Sequence, residues 1–293
     1  MPKRSRRLAL LEGAIAGTFF GTAAIFIRSL TGVSVFSIAF WRLVIASLVF
    51  VAIVLAFKKS FSWSPIRNNI GRVGVLGVLL GLHFILFVSA VSDTTIINAT
   101  VLVNTTSIWS MIVSTLIFKL KPSRTALIGI IVSFLGVTII TYGDAAPGTW
   151  AIQLKGDLEA VIAAVLAAFY VSYGREIRQK SQIIPLMLAI YVFSSLTVLI
   201  IGVGAAQSFA FPLQAPQILL LVGLAILPTA VAHSFYFSSL SHLKSFETAA
   251  MALLEPIGAT LLGLIILTQA PKPIFVLGAA LVLVGIVTVA IKE

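Results

Sequence analysis

Long runs of apolar residues, separated by short polar and charged clusters, make up most of this chain. A helix needs about 20 predominantly apolar residues to cross the ~30 Å hydrocarbon core of a bilayer. Ten segments approach that length, and the clusters between them have the character of loops. The pattern predicts an all-α integral membrane protein with ten transmembrane helices, at residues 8–30, 35–57, 73–91, 96–118, 126–142, 158–173, 185–203, 218–240, 246–267 and 274–291.

The basic residues predict how these helices are oriented. Lys and Arg in short loops are retained on the cytoplasmic side of a membrane. With the amino terminus inside, 16 of the 20 Lys and Arg residues fall in cytoplasmic segments. Arg28, Lys155 and Lys272 fall on the outer side, and Arg42 lies within a span. We therefore expect both termini to be cytoplasmic.

A weak internal repeat divides the chain. An offset of 150 residues places His83 on His233 with neighbouring Phe and Ser residues in register, and a Gly-x6-Gly pair closes each half. Five is an odd number of helices, so the second copy must enter the membrane with opposite polarity. We predict a first five-helix repeat at 1–144 and a second, inverted five-helix repeat at 145–293, an arrangement that favours alternating access.

Composition excludes several classes of function. The chain is 59% hydrophobic and 10% charged, with a mean hydropathy of +1.13, so its solvent is lipid. The net charge of +11 is scattered between spans and forms no basic stripe, which argues against a nucleic-acid partner. The chain has no cysteine and no catalytic motif of the G-x-S-x-G or H-E-x-x-H type. We expect neither an enzyme nor a metal or cofactor site.

Two charged residues stand inside predicted spans. Arg42 lies about eight residues, or roughly 12 Å, into the second span, where an arginine costs ~2.5 to 3.5 kcal/mol. It could contact a substrate carboxylate, act as a gate, or extend outward to carbonyls and headgroups. Glu255 lies near the middle of the ninth span, before the kink expected at Pro256. It could bind a substrate ammonium, couple transport to protons, or pair with Arg42.

Further polar and aromatic side chains are candidates for a substrate site, although each could equally serve packing. His83 and His233 occupy equivalent repeat positions, and Asn104 belongs to a polar face of the fourth span. Aromatic rings could supply an apolar pocket or sit in interface belts. The candidate substrate-binding residues are His83, Phe87, Asn104, Trp109, Tyr170, His233, Tyr236 and Glu255.

Several short motifs resemble one transporter family. They are Glu12-Gly13-Ala14-Ile15-Ala16-Gly17 in the first span, Phe40-Trp41-Arg42 in the second, Glu255-Pro256 in the ninth, and the Gly-x6-Gly pairs. With them the chain resembles the ten-helix EamA-type branch of the drug/metabolite transporter superfamily, and within it the YddG-type aromatic amino-acid exporters. The resemblance implies a bacterial inner membrane and a central cavity lined by helices one, three, four, six, eight and nine.

The resulting functional prediction is a secondary transporter. We expect it to export amino acids, especially aromatic or bulky neutral ones, by alternating access, as a monomer in the lipid bilayer with protons as a candidate coupling ion. A broad-specificity drug or metabolite exporter and an exchanger of phosphorylated metabolites are the alternatives. Phosphate dianions favour several Lys or Arg residues in a cavity, whereas only Arg42 lies within a span.

Overall fold

The computed structural model describes residues 5–57, 61–144, 154–267 and 272–291, in which all regular structure is helical. The residues before the second predicted repeat form α1 (Arg6–Phe20), α2 (Ala23–Ser29), α3 (Val35–Ala56), α4 (Ser64–Arg67), α5 (Ile70–Asp93), α6 (Ile96–Val103), α7 (Thr106–Leu116) and α8 (Arg124–Asp144). The remainder forms α9 (Leu154–Lys180), α10 (Ile183–Gly204), α11 (Ala215–Leu224), a π-helical segment (Ala225–His233), α12 (Ser234–Ser239), α13 (Ser245–Met251), a 3-10 turn (Ala252–Leu254), α14 (Glu255–Leu267) and α15 (Pro273–Ala290). The extreme termini, whose cytoplasmic location was predicted, lie outside the described residues.

Within the described residues, seven helical stretches are long and apolar enough to cross a membrane, and the helix at Arg124–Ile140 is apolar but shorter. The seven coincide with predicted spans. The predicted spans 126–142, 158–173 and 246–267 fall on α8, α9 and α13–α14, which are helical but not among the seven. The protein is therefore a multi-pass membrane protein, and the number ten remains a prediction.

Local sequence explains where several helices start. The Ser5 hydroxyl accepts a hydrogen bond from the backbone N–H of Leu8, and Ser34 does the same for Ser37. Thr95 caps α6 by accepting from Asn98. Each cap satisfies one of the backbone donors that a helix start leaves unpaired.

Glycines let α8 and α15 touch through their backbones. A methyl group on Gly129 would meet the carbonyl oxygen of Gly285 at 2.6 Å, and one on Gly136 would meet that of Gly278 at the same distance. Close approach of this kind is typical of helix pairs in membranes, where small residues replace a hydrophobic driving force. The glycines matched by the sequence repeat therefore contact one another crosswise.

The end of α1 packs on α13, the 3-10 turn and α14 in a similar way. A methyl group on Gly17 would overlap the backbone carbonyl of Met251, and one on Gly258 would overlap that of Thr18. Gly21 lies against the backbone of Glu255 and Ala259. These contacts bring the end of α1 next to Glu255.

Ion pairs join α5 and α9 at both of their ends. Lys155 lies 2.7 Å from Asp93 at one end, and Arg72 lies 3.3 Å from Glu176 at the other. The bond to Asp93 raises the pKa of the Lys155 ammonium, and Lys180 lowers the pKa of the Glu176 carboxyl. These pairs are largely exposed, so solvent screens them.

Candidate functional site

A cavity lies where several of the long helical stretches are interrupted. The breaks fall between α1 and α2, between α6 and α7, in the π-helical segment, and in the 3-10 turn before α14. Broken helices inside a membrane expose backbone and polar side chains to a buried space. The lining residues are Phe20, Ala23, Arg42, His83, Phe84, Phe87, Val103, Asn104, Thr106, Ala167, Pro228, His233, Tyr236, Ala252 and Glu255.

Arg42 is the cationic group of this cavity. Arg42 is 1% exposed, so its side chain does not extend outward to the lipid headgroups. Its Nε donates to the Thr229 hydroxyl at 2.9 Å, and its guanidinium carbon lies 4.0 Å from the ring centroid of Phe84. Its Nη1 is buried and has no hydrogen-bond partner among the described residues. A buried donor without an acceptor is costly.

The π-helical segment sets the position of Arg42. Pro228 has no N–H, so it cannot donate to the carbonyl of Leu224 four residues earlier. The Thr229 hydroxyl donates to that carbonyl instead, at 2.7 Å. The Tyr191 hydroxyl donates to the Thr229 carbonyl, also at 2.7 Å. Thr229 is thereby fixed between two helices, with its hydroxyl oxygen turned to accept from Arg42.

Glu255 is the carboxyl group of this cavity. It is 6% exposed, and its Oε2 accepts from the Asn104 amide at 3.1 Å, the one hydrogen bond of this carboxyl among the described residues. Pro256 cannot donate to the Ala252 carbonyl, which accepts the N–H of Glu255 instead and tightens this stretch to a 3-10 turn. Asn104 also sits at a break, between α6 and α7.

The two predicted histidines meet across the cavity. Their ring centroids are 6.4 Å apart. His83 Nδ1 lies 2.9 Å from the carbonyl oxygen of Ala163, and a carbonyl can only accept, so Nδ1 carries the hydrogen and Nε2 is left as an acceptor in the neutral ring. His233 packs edge-on against Phe20 and Phe84, with centroids 4.8 and 5.0 Å away.

Seven of the predicted site residues line this one cavity: Arg42, His83, Phe87, Asn104, His233, Tyr236 and Glu255. Tyr170 instead packs in the apolar core, with its ring 4.9 Å from that of Phe237. Trp109 is half-buried on α7 and is not among the lining residues. Sequence reasoning missed Thr229, Phe20 and Phe84, and the only signal for Thr229 was its position after Pro228.

Arg42 and Glu255 do not pair with each other in the described structure, although both line the cavity. Each is bound by a neutral side chain, Thr229 or Asn104. Among the described residues no group of three or more His, Asp or Glu side chains could hold a metal ion. The cavity therefore offers one guanidinium, one carboxyl group and two imidazoles within aromatic walls.

A bundle of apolar helices around an internal polar cavity defines a multi-pass membrane protein that can hold a small molecule. The EamA-like transporter family matches residues 7–142 and again residues 154–291, and the chain belongs to this family. Two similar proteins of Archaeoglobus fulgidus are each named an uncharacterized transporter. One is 26% identical over 96% of this chain and 98% of its own length, and the other is 24% identical over 98% and 96%. A solved structure described only as the crystal structure of a protein shares the fold, with a TM-score of 0.81, 18% identity, and coverage of 97% of this chain and 96% of that one.

Proposed function

We propose that this membrane protein is a secondary transporter that exports amino acids, with aromatic or bulky neutral ones as its main substrates. The observation that carries the proposal is a guanidinium and a carboxyl group that line one cavity, do not pair with each other and are each bound by a neutral side chain. Arg42 has a free buried donor, and Glu255 has a single neutral hydrogen-bond partner. An amino-acid zwitterion supplies the missing partner of each.

The substrate carboxylate would bind the Arg42 guanidinium, and the substrate ammonium would bind Glu255. The neutral His83 ring adds an acceptor, Nε2, which suits an ammonium and not a carboxylate. Transfer of a zwitterion into this cavity leaves the net charge of the site unchanged. Transfer of a zwitterion into the cavity is therefore favoured over transfer of a molecule that carries a net charge.

Aromatic walls favour a bulky apolar side chain. The rings of Phe20, Phe84, Phe87 and Tyr236 line the cavity beside the two histidines. Edge-to-face contacts among such rings contribute about 0.5 to 1.5 kcal/mol each beyond area burial. An aromatic substrate ring can form the same contacts.

The rival substrates fit less well. A phosphate dianion favours at least two cationic side chains, and Arg42 is the only Lys or Arg among the described residues that line the cavity. A broad-specificity exporter of apolar metabolites would use the same aromatic walls. It would not require the opposite charges of Arg42 and Glu255, so their substitution separates the two functions.

The same proposal includes ten spans in two inverted halves, 1–144 and 145–293, that work by alternating access. The family match in each half supports it, as do the crosswise glycine contacts of α8 and α15 and the meeting of His83 with His233. We place both termini in the cytoplasm on the distribution of basic residues. The cavity lies within one chain, which agrees with a monomer in the cytoplasmic membrane.

Reconstituted liposomes test the substrate. Vesicles loaded with unlabelled phenylalanine should take up labelled phenylalanine by counterflow, and the uptake should saturate. Arg42→Gln and Glu255→Gln should each reduce it by about tenfold or more, because each removes a charge-assisted hydrogen bond. Ala52→Leu, on an exposed position of α3, is the control. Absence of counterflow for phenylalanine, tryptophan and leucine in vesicles with folded protein would refute the substrate assignment.

A further inference from the structure

A second cavity adjoins the first and shares Glu255 with it. It lies between α2, α6, α8 and α14. Glu255 is the residue common to the described linings of the two cavities. The described lining consists of Gly21, Ala24, Ile25, Ile96, Thr100, Ile140, Glu255, Pro256, Ala259 and Thr260.

The chemistry of this lining differs from that of the central cavity. Glu255 is the only charged residue among the described residues that line this cavity. The Thr100 hydroxyl donates to the Ile96 carbonyl at 2.7 Å, and the Thr260 hydroxyl donates to the Pro256 carbonyl at 2.9 Å. With their hydrogens used, these hydroxyl oxygens can only accept. The polar side chains of the cavity are thus acceptors, and the rest is apolar.

The cavity also reaches the surface of the bundle. Ile25 is 39% exposed and belongs to its lining. Gly21, Ala24 and Ala259 are small, so no large side chain from these positions fills the space. Because this surface lies within a membrane-spanning stretch, an amphipathic molecule dissolved in lipid can approach it.

We propose that the second cavity is a binding site for organic monocations, namely primary amines that carry an apolar body. The ammonium donates to Glu255 and to the threonine oxygens, and the apolar body packs against the isoleucines. A carboxylate finds no cationic side chain there. The zwitterion therefore uses the central cavity, and the amine uses the second one.

The two ligands compete, because both need the Glu255 carboxyl group. An amine in the second cavity therefore inhibits export of the zwitterion. This competition rests on the proposed function, since it requires the zwitterion ammonium to bind Glu255. The amine site itself does not depend on the identity of the exported substrate.

Equilibrium binding to the full chain in lipid nanodiscs tests the proposal, with labelled 2-phenylethylamine as the monocation and labelled phenylalanine as the zwitterion. The unsubstituted protein should bind each, and each should displace the other. Ala259→Leu fills part of the second cavity and should weaken amine binding by about tenfold, with phenylalanine binding unchanged. Arg42→Gln should weaken phenylalanine binding and leave amine binding unchanged. Glu255→Gln should weaken the binding of both ligands.

Controls make each outcome decisive. Ala52→Leu adds the same side chain on an exposed α3 position and should change neither affinity. Thr260→Leu replaces Ala259→Leu if that variant does not fold in thermal unfolding assays. Amine binding that survives Glu255→Gln, or that neither cavity-filling variant weakens, overturns the second site. If the unsubstituted protein binds the amine but does not bind phenylalanine, the proposed function is overturned and the amine site stands.

Discussion

Arg42 and Thr229 are joined by a hydrogen bond of 2.9 Å that links α3 to the π-helical segment. Thr229 is completely buried, and its hydroxyl hydrogen is already committed to the Leu224 carbonyl. The hydroxyl oxygen can therefore serve Arg42 only as an acceptor. The orientation of the guanidinium thus depends on a helix irregularity that Pro228 creates.

Thr229→Val should remove this acceptor without changing the size of the side chain much. We expect a loss of about 1 to 3 kcal/mol in the free energy of unfolding, because Arg42 Nε and the Leu224 carbonyl both lose a partner. Phenylalanine binding should weaken as well, and Thr229→Ser should restore it. Thr197→Val is the matched control, since the Thr197 hydroxyl bonds only to the carbonyl of Phe193 on its own helix. Equal binding by the valine and serine variants would show that Thr229 does not position Arg42.

Asn104→Leu should leave the Glu255 carboxyl group buried without its hydrogen-bond donor. We expect destabilisation of about 1 to 3 kcal/mol, measured by chemical or thermal unfolding in detergent. The double variant Asn104→Leu/Glu255→Leu should recover part of this loss, because both partners of the buried bond are then apolar. Additive losses in the two single variants and the double variant would mean that the two side chains are not coupled.

Gly17→Ala should be severely destabilising, because the added methyl group overlaps the Met251 carbonyl of the packed backbone. Overpacking of this kind costs about 1 to 3 kcal/mol or more. Gly71→Ala is the control, since nothing lies within 4 Å of a methyl group there. That variant should be neutral or slightly more stable. Thermal unfolding of both purified variants makes the comparison, and similar melting temperatures would contradict the close packing of α1 on the ninth segment.

Lys155→Gln should have a small effect that depends on pH and salt. Asp93 raises the pKa of Lys155, so the ion pair contributes at neutral pH and its contribution is lost as the pH rises through that raised value. The pair is mostly exposed, and we expect it to add less than about 0.5 kcal/mol. The difference between the unfolding midpoints of parent and variant should shrink at high pH. It should shrink by roughly the same amount in 1 M salt. A difference that persists in both conditions would show that Lys155 acts through packing. The control is Lys121→Gln, which changes an exposed lysine elsewhere in the chain.

Hydropathy was sufficient to find the helices of this protein, because a helix that crosses lipid needs a long run of apolar residues. It also led to the cavity: a charge at Arg42 or Glu255 within an apolar run is costly unless it serves a site. The kink at Pro256 was predicted, and the other interruptions of the helices were not. The break after α1 lies where Gly21 contacts the backbone of Glu255, a tertiary contact that hydropathy does not report.

Individual aromatic residues were predicted less well than charges. Phe87 and Tyr236 line the cavity and Tyr170 does not, although all three are rings inside predicted spans. An aromatic side chain can face lipid, pack in the core or contact a ligand, so its sequence position alone does not tell these three environments apart. Phe20 and Phe84 were missed for the same reason.

The backbone contact between α8 and α15 limits how the molecule can rearrange. Gly129 and Gly136 of one helix lie directly on Gly285 and Gly278 of the other, so no layer of side chains can slide between them. Val282 already packs against Gly136 and Val289 against Gly129, so translation of one helix along the other would break these close contacts. The glycine contacts therefore oppose sliding of α8 and α15 against each other.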